Sequence, residues 1–203
     1  MTSKAKTKWM MRVSMLAAVA VVLMYLEFPL PLFPPWLQID FSDIPALLGG
    51  IALGPWAAVT IEVLKNLVHI LLKGLSFGGA GQLANLLIGL GLVLPAALWT
   101  RAHPIRRGAL IGIAWGTLCV AIVGPLANVF ILVPAAGIST EALAGAMTPI
   151  MEILGLQGRL SPMVGYGLLA VAPFNIIKGL LGMLVVGLLY KPLLPTLSAV
   201  ERE

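Results

Sequence analysis

The chain has 203 residues, of which 60% are hydrophobic and only 10% are charged, and its mean hydropathy is +1.02. Soluble domains are about a quarter charged, so this composition excludes a soluble globular protein and indicates an integral membrane protein. The formal net charge is +5, but the basic residues lie beside the apolar stretches, which is typical of contacts with lipid headgroups. The sequence therefore predicts one membrane domain over residues 1–203 in a lipid bilayer, and no nucleic-acid partner.

The apolar stretches predict an all-α membrane protein with a bundle of six transmembrane helices, since a membrane-spanning helix needs about 20 apolar residues. The second predicted helix is short and could instead be merged with the third. A further amphipathic helix is predicted over about residues 140–154, and Pro192 and Pro195 are expected to end the last span. The six predicted helices cover about residues 9–26, 44–53, 56–72, 82–99, 109–133 and 164–190.

The segment between the first two predicted helices, residues 27–43, contains four prolines within residues 29–35 and is called the proline-rich loop below. Proline lacks a backbone N–H and restricts the residue before it, so no ordinary helix passes through this segment. Because the loop is also rich in Leu, Phe and Trp, we expect it to fold back onto the bundle. Ser42 or Asp43 is expected to cap the next helix. We interpret the loop as the cover of a small-molecule pocket; the alternative is a packing loop without a ligand.

The distribution of Lys and Arg predicts the orientation, because cytoplasmic loops carry an excess of positive charge. With the N-terminus in the cytoplasm, the C-terminus is also cytoplasmic and the proline-rich loop faces outward. Only Lys73 and Arg159 then lie outside. The basic residues expected on the cytoplasmic side are Lys4, Lys6, Lys8, Arg12, Arg101, Arg106, Arg107, Lys191 and Arg202.

Several polar side chains fall inside the predicted spans, where a polar group needs a partner or a function. The third helix carries Glu62, Lys65, Asn66 and His69 at a spacing that places them on one face. The later helices carry Gln82, Asn85, Asn128, Asn175 and Lys178. In the predicted orientation, polar groups from four helices converge beneath the proline-rich loop, which favours a pocket for a flat, uncharged or weakly charged ligand. For each residue the alternative is an interhelical hydrogen bond.

Sequence motifs of zinc proteases and ATPases are missing from the chain. It contains no HExxH or GxxxxGK[ST] pattern, and these are the signatures of zinc proteases and nucleotide-binding loops. With two histidines, one of them in a loop, no metal site is predicted. A membrane enzyme that uses Glu62 and His69 stays open as an alternative, as does a structural membrane protein without a ligand.

Five stretches of the chain resemble one family in order along nearly its whole length. They are LEFPLPLFPPWLQIDFSDIPALLGGIALGP, IEVLKNLVHILLKG, GQLANLLIG, GPLANVFILVP and VAPFNIIKGLLG, and they resemble the riboflavin-specific substrate-binding subunits (S components) of energy-coupling factor (ECF) transporters. The resemblance implies a six-helix bundle in a bacterial cell membrane that captures riboflavin from outside with high affinity. It also implies a transported ligand rather than a cofactor, no enzymatic activity, and a partner module made of a transmembrane coupling subunit and two ABC-type ATPases.

The resemblance also implies which residues contact the flavin. The family's asparagine in the fifth helix and its lysine in the FNxxKG motif match Asn128 and Lys178. Family members dock through small residues on the first helix, often as AxxxA, where this chain has Ser14 and Ala18. An S component for another vitamin or for FMN is the alternative within the same class. From the ligand's chemistry, we expect the ring to be covered by Leu30, Phe33 and Phe41 and further polar contacts from Asp40, Asn85 and Asn175.

Overall fold

The apolar stretches form helices in a computed structural model that describes residues 3–198, with side chains described through residue 193. Residues 1–2 and 199–203, with the predicted cytoplasmic C-terminus and Arg202, lie outside the described residues. The α-helices are α1 (Ser3–Tyr25), α2 (Asp43–Leu53), α3 (Pro55–Lys73), α4 (Ala80–Ala102), α5 (Arg106–Ala127), α6 (Val133–Ala136), α7 (Thr140–Ile153), α8 (Pro162–Gly165) and α9 (Ala172–Ser198).

Within the described residues, five helical stretches are long and apolar enough to cross a membrane. They are Ser3–Tyr25, Pro55–Lys73, Ser76–Ala102, Arg106–Ala136 and Pro162–Leu193. The predicted second helix is present as α2, but its 11 residues extend only about 16 Å, roughly half of a hydrocarbon core. Gly54, with a φ of 92°, separates α2 from α3, so the two helices are not merged. The prediction of an all-α membrane protein is confirmed, and α2 is too short to span the membrane by itself.

Two of the long stretches contain a π-helical segment, and one continues past its predicted end. Asn128–Leu132 is π-helical between α5 and α6, and Tyr166–Val171 is π-helical between α8 and α9. The prediction that Pro192 and Pro195 end the last span is wrong, because α9 continues to Ser198. A proline removes one hydrogen bond and bends a helix, but near a helix end it need not stop it.

The proline-rich loop contains two short strands that the sequence does not predict. Strand β1 (Phe28–Pro29) pairs antiparallel with β2 (Gln38–Ile39). The strands direct Leu37 and Ile39 into an apolar cluster that also contains Tyr166 and Phe174. The loop therefore packs on the π-helical segment Tyr166–Val171 and on the start of α9. Its last residues place Asp40 and Asp43 in buried positions.

The helices α4 and α5 approach closely because glycines on α5 face the backbone of α4. A methyl group at Gly112 would lie 2.7 Å from the carbonyl oxygen of Ala96, and one at Gly116 would overlap the carbonyl oxygen of Leu92. Close backbone approach through small residues is typical of helix packing in membranes. This contact fixes the position of α4, which lies between α3 and α5.

We predict that Gly116→Ala lowers the free energy of unfolding by about 1–3 kcal/mol, because the added methyl group overpacks the contact with α4. The matched control is Gly145→Ala in α7, where a methyl group would meet open space. That control should leave stability unchanged or raise it by about 0.4–1 kcal/mol. Melting curves of both variants in detergent measure the difference, and equal melting temperatures would contradict the close packing of α4 and α5.

Candidate functional site

A cavity of about 360 Å³ lies at the end of the bundle that carries the proline-rich loop. Its lining comes from the loop, the ends of α1 and α3, the turn before α4, the π-helical segment after α5, and the starts of α4 and α9. Ligand pockets have volumes of roughly 300–1,000 Å³ and are mostly apolar with a few convergent polar groups. The predicted convergence is confirmed, since the cavity is lined by His69, Gln82, Asn85, Asn128, Asn175 and Lys178.

Five of the eight predicted binding residues line this cavity: Asp40, Asn85, Asn128, Asn175 and Lys178.

The other three predicted binding residues, Leu30, Phe33 and Phe41, lie outside the lining. The ring of Phe33 packs edge-on against the cavity residue Phe174, with 5.6 Å between ring centroids, and Leu30 packs against the same apolar cluster. Phe41 borders a separate small void beside Asp40 and Asp43. Pairing of β1 with β2 brings Trp36 and Leu37 to the cavity instead. Contact of any of the eight with a ligand stays a prediction.

Lys178 is paired with two carboxylates. Its Nζ lies 3.0 Å from Asp40 Oδ2 and 2.9 Å from Asp43 Oδ2. The sequence offers Lys178 no acidic residue one turn away on its own helix, so both partners come from the other end of the chain. The contact with Asp40 is a hydrogen bond, so the ammonium group, which has three hydrogens, retains a donor for a ligand.

Lys65 extends this pairing into α3. Its Nζ contacts the Asp43 carboxylate, Glu62 Oε2 at 2.9 Å and Ser42 Oγ at 3.0 Å. Ser42 occupies the predicted N-cap position of α2, but it makes no side-chain cap hydrogen bond. Its hydroxyl accepts from Lys65 instead. The buried charge network, as we call it, comprises Asp40, Asp43, Glu62, Lys65 and Lys178 and connects the proline-rich loop with α2, α3 and α9.

Asn128 is held by two hydrogen bonds at the wall of the cavity. Its Nδ2 donates to the carbonyl oxygen of Gly124 at 3.0 Å, and its Oδ1 accepts from the hydroxyl of Tyr166 at 2.9 Å. The indole N–H of Trp36, from the proline-rich loop, donates to the same hydroxyl at 3.0 Å. The amide of Asn128 is thus connected to the loop through one tyrosine.

His69 and Gln82 form a second polar group where α3 and α4 line the cavity. Gln82 Oε1 accepts from the backbone N–H of Ser76 at 3.1 Å, and its Nε2 lies 3.1 Å from both the Gly74 oxygen and Ser76 Oγ and 3.3 Å from His69 Nδ1. An amide nitrogen only donates, so the His69 tautomer compatible with this contact carries its hydrogen on Nε2. Among the described residues, nothing hydrogen-bonds to His69 Nε2 or to Asn85 Oδ1, and both are buried.

Sequence reasoning missed two features of the cavity: the ion pair between Lys73 and Glu27, and the hydrogen bonds that the Tyr166 hydroxyl makes at the cavity wall. Lys73 Nζ lies 2.6 Å from Glu27 Oε1 and 4.9 Å from the ring centroid of Tyr25. The sequence could have indicated this ion pair, because the acidic Glu27 directly follows the predicted first helix and the basic Lys73 directly follows the predicted third helix. The role of Tyr166 could not be predicted from the sequence, because an aromatic residue within an apolar stretch is usually interpreted as a core residue.

The fold defines a multi-pass membrane protein, and its cavity is large enough for a small molecule. Residues 8–190 match the family model described as the substrate-specific component of ECF transporters, and the chain belongs to this family. That finding supports the transporter interpretation and not the membrane enzyme, since the family is one of transporters. The resemblance that the sequence motifs indicate is therefore confirmed.

Two relatives and one solved structure are similar along most of the chain. The chain is 31% identical to the riboflavin transporter FmnP of Bacillus subtilis (strain 168), over 94% of both chains. It is 32% identical to the riboflavin transporter RibU of Staphylococcus aureus (strain TCH60), over 93% of this chain and 91% of the relative. A solved S component of a bacterial ECF transporter superposes with a TM-score of 0.73 at 30% identity, covering 95% of this chain and 98% of that one.

We predict that Lys65→Met lowers the free energy of unfolding by about 3–5 kcal/mol, since it leaves Asp43 and Glu62 buried with one cation fewer. The matched control is Lys73→Met, which removes the partly exposed pair with Glu27 and should cost about 0–1 kcal/mol. Melting curves of the two variants without added ligand compare them. A Lys65→Met variant as stable as Lys73→Met would show that the buried charge network does not hold the fold together.

Proposed function

We propose that this chain is the riboflavin-binding S component of an ATP-driven ECF importer. The observation that carries the proposal is the single cavity in which Asn128 and Lys178 meet, because the family resemblance matches these two residues to flavin contacts. The riboflavin transporters named above, which are similar along nearly the whole chain, support the same ligand. Riboflavin is then the transported ligand, and no cofactor is involved.

The chemistry of the cavity suits a flavin ring at the side formed by α5 and α9. The imide edge of the ring has one N–H donor between two carbonyl acceptors. Asn128 retains one N–H and one oxygen lone pair after its bonds to Gly124 and Tyr166, so it can pair with such an edge. Lys178 retains a donor for a carbonyl oxygen, and the faces of the ring would contact apolar side chains of the lining such as Leu132 and Phe174.

The side formed by α3 and α4 suits the ribityl chain. A hydroxyl both donates and accepts. Here His69 and Asn85 line one wall, and His69 Nε2 and Asn85 Oδ1 are buried without a hydrogen-bond partner among the described residues. Unpaired buried polar groups cost free energy until a ligand satisfies them. The arrangement therefore favours a ligand that is aromatic at one end and hydroxylated at the other. FMN or another vitamin remains the alternative within the class.

Family membership supports a partner module, and the distribution of Lys and Arg supports an orientation in the membrane. We propose that Ser14 and Ala18 dock on the transmembrane coupling subunit, which works with two ABC-type ATPases. Both residues are exposed on α1, opposite the face that buries Val13, Ala17 and Ala20, and small residues permit close helix approach. The positive-inside distribution supports a bacterial cell membrane protein with both termini in the cytoplasm and the proline-rich loop outside.

Titration of the purified protein with riboflavin, followed by quenching of flavin fluorescence, tests the proposed function. We expect saturable binding of riboflavin and none of thiamine or biotin. The reason is that the amide of Asn128 can pair with the imide edge of a flavin, and apolar side chains of the lining can cover its flat ring. Absence of riboflavin quenching in a folded sample would contradict the proposal, and saturable binding of FMN in a parallel titration would favour the FMN alternative.

We predict that His69→Phe weakens riboflavin binding by about tenfold, because a hydroxyl loses its donor. Lumiflavin, which has a methyl group in place of the ribityl chain, should bind the variant within about twofold of the unaltered protein. Fluorescence titration with both ligands measures the two ratios. His103→Phe is the matched control, since His103 is exposed in the loop after α4. Equal losses for riboflavin and lumiflavin would contradict the placement of the ribityl chain beside His69.

A further inference from the structure

The two π-helical segments meet at the wall of the cavity. Asn128 is the first residue of one and Tyr166 is the first residue of the other, and the two segments are in contact. π-helical turns are rare and occur frequently at functional sites. Tyr166 is fully buried and lies outside the described lining of the cavity, so it acts on a ligand only through its neighbours.

The hydrogen bonds from Trp36 to Gly124 form a chain with one possible direction. An indole nitrogen only donates, and a backbone carbonyl only accepts. Trp36 therefore donates to the Tyr166 oxygen, Tyr166 must give its own hydrogen to Asn128 Oδ1, and Asn128 Nδ2 must donate to Gly124. Rotating the Asn128 amide by half a turn would break both of its bonds. The order of donor and acceptor that Asn128 presents to the cavity is thus fixed.

We propose that Tyr166 is a positioning residue that sets the amide of Asn128 for the ligand and makes this setting depend on Trp36 of the proline-rich loop. The proposal rests on the proposed function, because it assumes that Asn128 pairs with the bound flavin. Trp36 donates to the Tyr166 hydroxyl, which in turn donates to Asn128 Oδ1. Hydrogen bonds in such a chain strengthen one another. Loss of the Trp36 bond would therefore weaken the Tyr166 bond that restrains the Asn128 amide.

A double-mutant cycle between Tyr166→Phe and Asn128→Leu tests the proposal, with riboflavin affinity and off-rate as readouts. Tyr166→Phe in the otherwise unaltered protein should weaken binding by about tenfold, the usual effect of losing one buried hydrogen bond. In the Asn128→Leu background the same change should alter affinity by about twofold or less. A purely structural role for Tyr166 would give equal losses in both backgrounds, and that result would overturn the proposal.

Control variants separate positioning from folding and from the proposed function. Tyr190→Phe makes the same chemical change near the other end of α9 and should leave binding unchanged. If Tyr166→Phe does not fold, the cycle between Trp36→Phe and Asn128→Leu decides, since non-additive losses support the chain of hydrogen bonds and additive losses overturn it. An unaltered protein that fails to bind riboflavin overturns the proposed function together with this inference. Additive losses in a protein that binds riboflavin overturn the inference alone.

Discussion

The pairing of Asp40 and Asp43 with Lys178 and Lys65 is the interaction on which the rest of the structure depends. Moving a charge out of water costs several kcal/mol even after relaxation, so buried charges persist only when each has a partner with good geometry. Here the carboxylates come from the proline-rich loop and α2, while the ammonium groups come from α3 and α9. Moving the proline-rich loop away from α9 would separate Asp40 from Lys178, its partner in this set.

The same pairing holds the proline-rich loop beside the cavity. Asp40 and Asp43 fix the end of the loop against α9. Irregular backbone at membrane depth is tolerated only where protein covers it or where it lines a cavity. The β1–β2 pair satisfies part of the loop's backbone, and Leu37 and Ile39 bury it against the apolar cluster. What remains between the loop and the helix ends is the cavity.

The helices and the convergence of polar side chains were predictable because both depend on local pattern. Hydropathy over about 20 residues locates a span, and a spacing of three or four residues places Glu62, Lys65 and His69 on one face. The carboxylate partners of Lys178 were not predictable, because they depend on how α2 and α9 pack. The hydrogen bonds of Tyr166 were hidden for a related reason: hydropathy shows that a residue lies in a span, but not which way its hydroxyl points.

Two separate contacts hold the proline-rich loop against the cavity. Asp40 pairs with Lys178, and Trp36 donates to Tyr166. Lys178 lines the cavity, and Tyr166 bonds to the cavity residue Asn128, so each of these two wall residues is connected both to the cavity and to the loop. Thermodynamic linkage is reciprocal: any factor by which a bound ligand favoured this loop position would be the factor by which this loop position favoured the ligand. Contact of a ligand with either wall residue would therefore couple its affinity to the position of the loop.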